Sequence, residues 1–127
     1  MREMRVLLVD DEYELVSTLS ERLLLRGIKA DWVTSAEEAL TRLNTTTYNI
    51  AVLDVKIPGI SGIELKKIMD KKSPGMKYIF ITGHGSESDF RAGSAEAGSE
   101  FYLVKPVNIE DLIEKMREII EKDGRSK

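Results

Sequence analysis

The chain has 127 residues, 42% of them apolar and 32% charged, and a net charge of −3. That length and balance suit one folded domain, and the acidic excess leaves no basic footprint for nucleic acid. With no cysteine and a single histidine, disulfides, thiolate zinc sites, cysteine nucleophiles and His-cluster metal sites are excluded.

No apolar run approaches the ~18 residues of a membrane span, and the N-terminus lacks a signal-peptide core. A cytoplasmic location is therefore expected, with no membrane contact. The first apolar run, Arg5 to Val9, reads as a strand and ends at Asp10-Asp11-Glu12. Helical periodicity follows, with Leu15, Leu19 and Leu23 apolar and Gly27 placed as a C′ residue. Residues 28–33 alternate and read as a half-covered edge strand. Ser35 and Glu38 have capping-box spacing, which predicts a short helix to about Leu43.

Ile50-Ala51-Val52-Leu53-Asp54 is the centre of the pattern. A short apolar run rich in β-branched residues reads as a strand buried on both faces. Its end is a carboxylate, and Pro58-Gly59 and Ser61-Gly62 beyond it read as loop. Ser61 starts a helix bearing Ile63, Leu65, Ile68 and Met69, and Ser73-Pro74-Gly75 ends it. Residues 77–81 form another buried strand ending at Thr82. Residues 86–97 read as a weak helix, since Gly93 inside it costs ~1 kcal/mol relative to Ala. Residues 101–104 are the fifth strand, ending at Lys105-Pro106. Asn108 caps a last amphipathic helix carrying Ile109, Leu112, Ile113, Met116 and Ile120. The domain is expected over residues 1–122, with 123–127 a polar tail or the stub of a cut before an output domain.

Strands alternating with helices imply a parallel sheet covered on both faces. Asp10 and Asp11 follow the first strand, Asp54 ends the third, Thr82 follows the fourth and Lys105 the fifth. All fall at carboxyl ends, where open α/β sheets bind ligands. Three clustered carboxylates repel one another, and a hard divalent cation relieves that repulsion. Mg²⁺ suits the site, because it takes one or two carboxylates plus waters and phosphate oxygens. With the cation shielding an incoming phosphoryl group, Asp54 can attack phosphorus and form an acyl phosphate. Lys105 and the Thr82 hydroxyl then face that group's oxygens. Two structural roles compete with this chemistry. Asp11 with Glu14 also has capping-box spacing, and a strand-end Asp54 alone is an ordinary turn residue.

The motifs Val9-Asp10-Asp11-Glu12, Leu53-Asp54 through Pro58-Gly59 to Gly62, Thr82-Gly83, Ala97-Gly98 and Tyr102 through Lys105-Pro106 resemble the receiver domain of bacterial two-component response regulators. The resemblance spans nearly the whole chain, and the order and spacing of the motifs make it specific. It implies a flavodoxin-like (βα)5 sandwich with sheet order 2-1-3-4-5. It implies Asp54 as phosphoacceptor and Mg²⁺ on Asp10, Asp11, Asp54 and the backbone carbonyl of Lys56. Thr82 and Lys105 would contact the phosphoryl group, and Tyr102 would be the switch aromatic. The donor would be a sensor histidine kinase or phosphotransfer protein. The output would pass through the fourth helix, fifth strand and fifth helix, to a fused output domain or into a homodimer. Lys56 and His84 stand at positions that tune phosphoryl lifetime. The domain would catalyse only its own phosphorylation and dephosphorylation.

Three other classes share parts of this pattern. A flavin-binding electron carrier on the same fold needs a Ser/Thr/Gly loop after strand one, where this chain has Asp10-Asp11-Glu12. An aspartyl-nucleophile phosphatase carries a second acid two residues after the nucleophile, where Lys56 stands here. A phosphorylation-independent interaction module would not need Asp54, Thr82 and Lys105 together.

Overall fold

A parallel sheet divides two apolar cores and brings the acidic segments to one edge. The computed structural model describes residues 4–83 and 102–125, the last four in backbone only. The chain runs β1 (Arg5–Val9), α1 (Tyr13–Leu25), β2 (Lys29–Val33), α2 (Ala36–Arg42), β3 (Ile50–Asp54), β4 (Lys56–Ile57), β5 (Ile60–Ser61), α3 (Gly62–Lys72), β6 (Lys77–Thr82), β7 (Tyr102–Val104) and α4 (Ile109–Arg125). The main sheet has the order β2-β1-β3-β6-β7, with every pairing parallel. β6 and β7 are the expected fourth and fifth strands, so this is the flavodoxin-like order anticipated above. The expected helix over residues 86–97 and His84 lie outside the described residues.

Period-two alternation assigns the strand residues to the two faces. Leu7, Val9, Ala51, Leu53 and Phe80 join one core with Ala39 of α2 and Leu65 and Met69 of α3. Val6, Leu8, Ile50, Val52, Ile79 and Ile81 join the other with Val16, Leu19 and Leu23 of α1 and Leu112, Met116 and Ile119 of α4. β3 is buried along its whole length, as a strand covered on both faces must be. β2 lies at the edge with only Val33 fully buried.

Local signals set the boundaries. Gly27, at φ +81°, ends α1 in the left-handed conformation of a C′ glycine. Ser35 accepts the Glu38 N–H at 3.1 Å, but Glu38 reaches back to Thr34 N rather than to Ser35. The expected box is thus half formed and shifted by one residue. Asn108 Oδ1 accepts from Glu110 N and Asp111 N at 2.9 and 3.1 Å, capping α4 as expected. α4 continues through Arg125, past the point where a polar tail was expected to begin.

Three expectations need correction. Residues 55–62 are not simple loop: β4 and β5 pair as a two-residue antiparallel hairpin, turned by Pro58 and by Gly59 at φ +87°. Pro followed by a positive-φ Gly is the type II turn sequence. On α1 and α4 the expected Leu15 and Ile120 do pack, partly buried, against the core, but their neighbours Val16 and Ile119 lie deeper. Ile68, expected on the inner face of α3, is 40% exposed.

Candidate functional site

The register of the sheet carries four chain segments to one edge. Val9 pairs with both Val33 and Leu53, Asp54 with Ile81, and Thr82 with Val104. The residues just beyond β1 and β7, and the last residues of β3 and β6, therefore meet at the carboxyl end. Asp10, Asp54 and Thr82 are 2%, 4% and 1% exposed, the only buried polar or charged residues, tyrosines apart, among the described residues. A buried polar group is costly unless partnered or put to chemical use, so this grouping marks the edge as a site.

The chain fixes these side chains with its own backbone. Glu12 N donates to Asp10 Oδ1 at 2.9 Å and Lys56 N to Asp54 Oδ1 at 3.2 Å. Each carboxylate thus has one oxygen tied down and one turned to the cleft. Lys105 N donates to the Thr82 carbonyl at 2.8 Å, which joins the ends of β6 and β7. Gly62 N donates to Val55 O at 2.8 Å, and a Cβ at Gly62 would lie 2.3 Å from the Asp54 carbonyl oxygen. Glycine is required there because two backbones pass in contact directly behind Asp54.

Carboxylate oxygens of Asp10, Asp11 and Asp54 lie within 4.8 Å of one another. The ammonium of Lys105 stands among them, 3.0 Å from Asp10 Oδ2 and 3.4 Å from Asp54 Oδ2, and it hydrogen-bonds Glu12. The Asp10 contact is an ion pair without hydrogen-bond alignment, which leaves Asp10 Oδ2 buried and unsatisfied. Burial, then the Asp54 charge, push the Asp10 carboxyl up to about 6, against the backbone N–H of Glu12 and the Lys105 charge. Asp54 is likewise raised, chiefly by burial, with Lys56 N and Lys105 opposing. For Lys105, burial works against the charged form. The hydrogen bond to Glu12 and the pairing with Asp10 and Asp54 outweigh it and hold the ammonium above the usual lysine range.

These residues suit a hard cation. The donors are all oxygen, three carboxylates face one lysine, and one buried acceptor has no hydrogen bond. Asp11, which competed for a capping role, does not cap: α1 has Glu12 at its N-cap, without a side-chain bond. The structure thus brings together Asp10, Asp11, Asp54, Thr82 and Lys105. Tyr102 lies on β7, 44% exposed, paired with Phe80 and so on the same sheet face as Thr82. Lys56 is exposed beside Asp54. Sequence reasoning assigned no role to Glu12. Its signal was present as the third acid of Asp10-Asp11-Glu12, but a partner 93 residues away leaves no local trace.

Comparison with known proteins agrees with this geometry. The family model described as response regulator receiver domain matches residues 6–117. The chain belongs to that family. It is 33% identical over 121 residues to the two-component response regulator PhoP of Pseudomonas aeruginosa, covering 95% of this chain and 53% of PhoP. The chain spans about half the length of the curated relatives it matches. A solved CheY-like receiver domain from Methanospirillum hungatei JF-1 superimposes with a TM-score of 0.87 at 32% identity, covering 99% of this chain and 100% of that one. TrrA of Thermotoga maritima, solved in complex with Mg²⁺-BeF, has a TM-score of 0.76 at 33% identity over 91% of this chain and 97% of that one. Among the described residues no helix is long and apolar enough to cross a membrane.

Proposed function

We propose that Asp54 accepts a phosphoryl group from a histidine kinase or phosphotransfer protein, with Mg²⁺ held by Asp10, Asp11, Asp54 and the Lys56 carbonyl. The observation that carries this reading is the buried Asp54 carboxylate, with one oxygen fixed by Lys56 N and the other facing Lys105 and two further acids. The Mg²⁺-BeF complex of TrrA supports the choice of ion. When bound, the cation neutralises the acidic cluster and offsets charge on the transferring phosphoryl group.

An Asp54 oxygen forms the new P–O bond as the P–N bond to the donor imidazole breaks, and the leaving nitrogen keeps the electron pair. Lys105 moves its ammonium from carboxylate partners to a phosphoryl oxygen, where a preorganised charge counts most. The Thr82 hydroxyl donates to another. Thr82 and Lys105 are joined through their backbones, so movement at one is felt at β7. Tyr102 shares the Thr82 face and is half-exposed, as a residue that turns inward on phosphorylation must be beforehand. That turn converts a local charge event into a changed surface. The surface would be read by a fused output domain, as the longer regulators among the relatives suggest, or by a second copy, within the cytoplasm.

The test is incubation of the chain with acetyl phosphate and Mg²⁺, followed by intact mass. One added phosphoryl group is expected, lost in Asp54→Asn and in excess EDTA. An unmodified wild-type chain, or equal labelling of Asp54→Asn, contradicts the proposal.

A further inference from the structure

Glu12 stands at the N-cap of α1 yet makes no side-chain capping bond. An N-cap side chain ordinarily satisfies one of the orphan N–H groups of the first turn. Here the carboxylate instead crosses to Lys105 on the far side of the site. It is 59% exposed, whereas the other two partners of that ammonium, Asp10 and Asp54, are buried acids of the cation pocket. Lys105 is therefore an internal counterion shared between the pocket and its rim. Any divalent cation that enters must compete with the ammonium for the oxygens of Asp10 and Asp54.

We propose that Glu12 is a positioning residue that shares the Lys105 ammonium with Asp10 and Asp54 and so weakens its hold on their oxygens against an entering divalent cation. This rests on the phosphoacceptor reading for the identity of the pocket, and adds a residue outside the acidic triad that governs its loading. With Glu12 neutralised, the ammonium is left to the two buried carboxylates alone, and the cation must displace a better-bound competitor.

The experiment is calorimetric titration of the full chain with magnesium chloride alone. Glu12→Gln keeps the size of the side chain and removes no capping bond, so the fold is retained; melting curves check this. Magnesium affinity is expected to fall about threefold, the scale of one exposed ion pair. The Lys105→Met background separates positioning from simple loss of a nearby negative charge. There, Glu12→Gln is expected to lose less than half as much affinity on a logarithmic scale. Unchanged affinity in Glu12→Gln overturns the inference, and so does an equal loss in both backgrounds. Both outcomes leave the phosphoacceptor reading intact, whereas a wild-type chain that takes up no magnesium removes that reading and this inference together.

Discussion

Asp10 sets the pH behaviour of the site. Its carboxyl titrates near 6 in the folded chain and near the ordinary 3.8 when unfolded, so between those values the folded state holds the extra proton. Its contribution to stability is full below about pH 4 and is lost as pH rises through 6, on the order of 2–3 kcal/mol for a shift of this size. Without metal, Asp10→Asn should therefore raise the melting temperature by several degrees at pH 7 and by much less at pH 4.5. A lower melting temperature at pH 7 would contradict the burial argument. The same proton excludes the cation, so magnesium binding should weaken on acidification through pH 6. Lys56 acts at the mouth of the site. Its charge beside Asp54 should hinder the hydrolytic water, so the acyl phosphate of Lys56→Ala should decay faster than that of wild type. An unchanged or slower decay would remove Lys56 from this role.

Elements were legible in proportion to how local their causes are. The Asn108 cap, the Gly27 terminus and the buried run of β3 each follow from a few adjacent residues, and each stands where those residues place it. Asn108→Ala removes the acceptor for two N–H groups of α4 and should cost about 1 kcal/mol in a denaturant titration. A loss under a few tenths would mean water replaces the cap fully. The β4–β5 hairpin was hidden because two-residue strands carry no periodicity, although the Pro58-Gly59 turn that makes it was in view. The displaced stripes of α1 and α4 have another cause. Leu15 and Val16, or Ile119 and Ile120, are both apolar, and only the sheet behind them decides which is buried.

For the whole molecule, the polar residues at strand ends told more than the apolar pattern did. Apolar runs give a sheet with two covered faces, a frame that supports many activities. The acids after β1, the acid that ends β3 and the lysine after β7 fix where on that frame chemistry occurs, and the register brings them within 4.8 Å for the acids and 3.4 Å for the lysine. The Glu12 contact needed coordinates, since it depends on how α1 and β7 converge at the edge.

The central claim is that one carboxylate in this cluster carries the phosphoryl group. Borohydride reduces an aspartyl phosphate to homoserine, which marks the modified position. After treatment with acetyl phosphate and Mg²⁺, peptide sequencing should find homoserine at residue 54, with residues 10 and 11 still aspartate. Homoserine at another position, or none in a chain saturated with magnesium, would contradict the account.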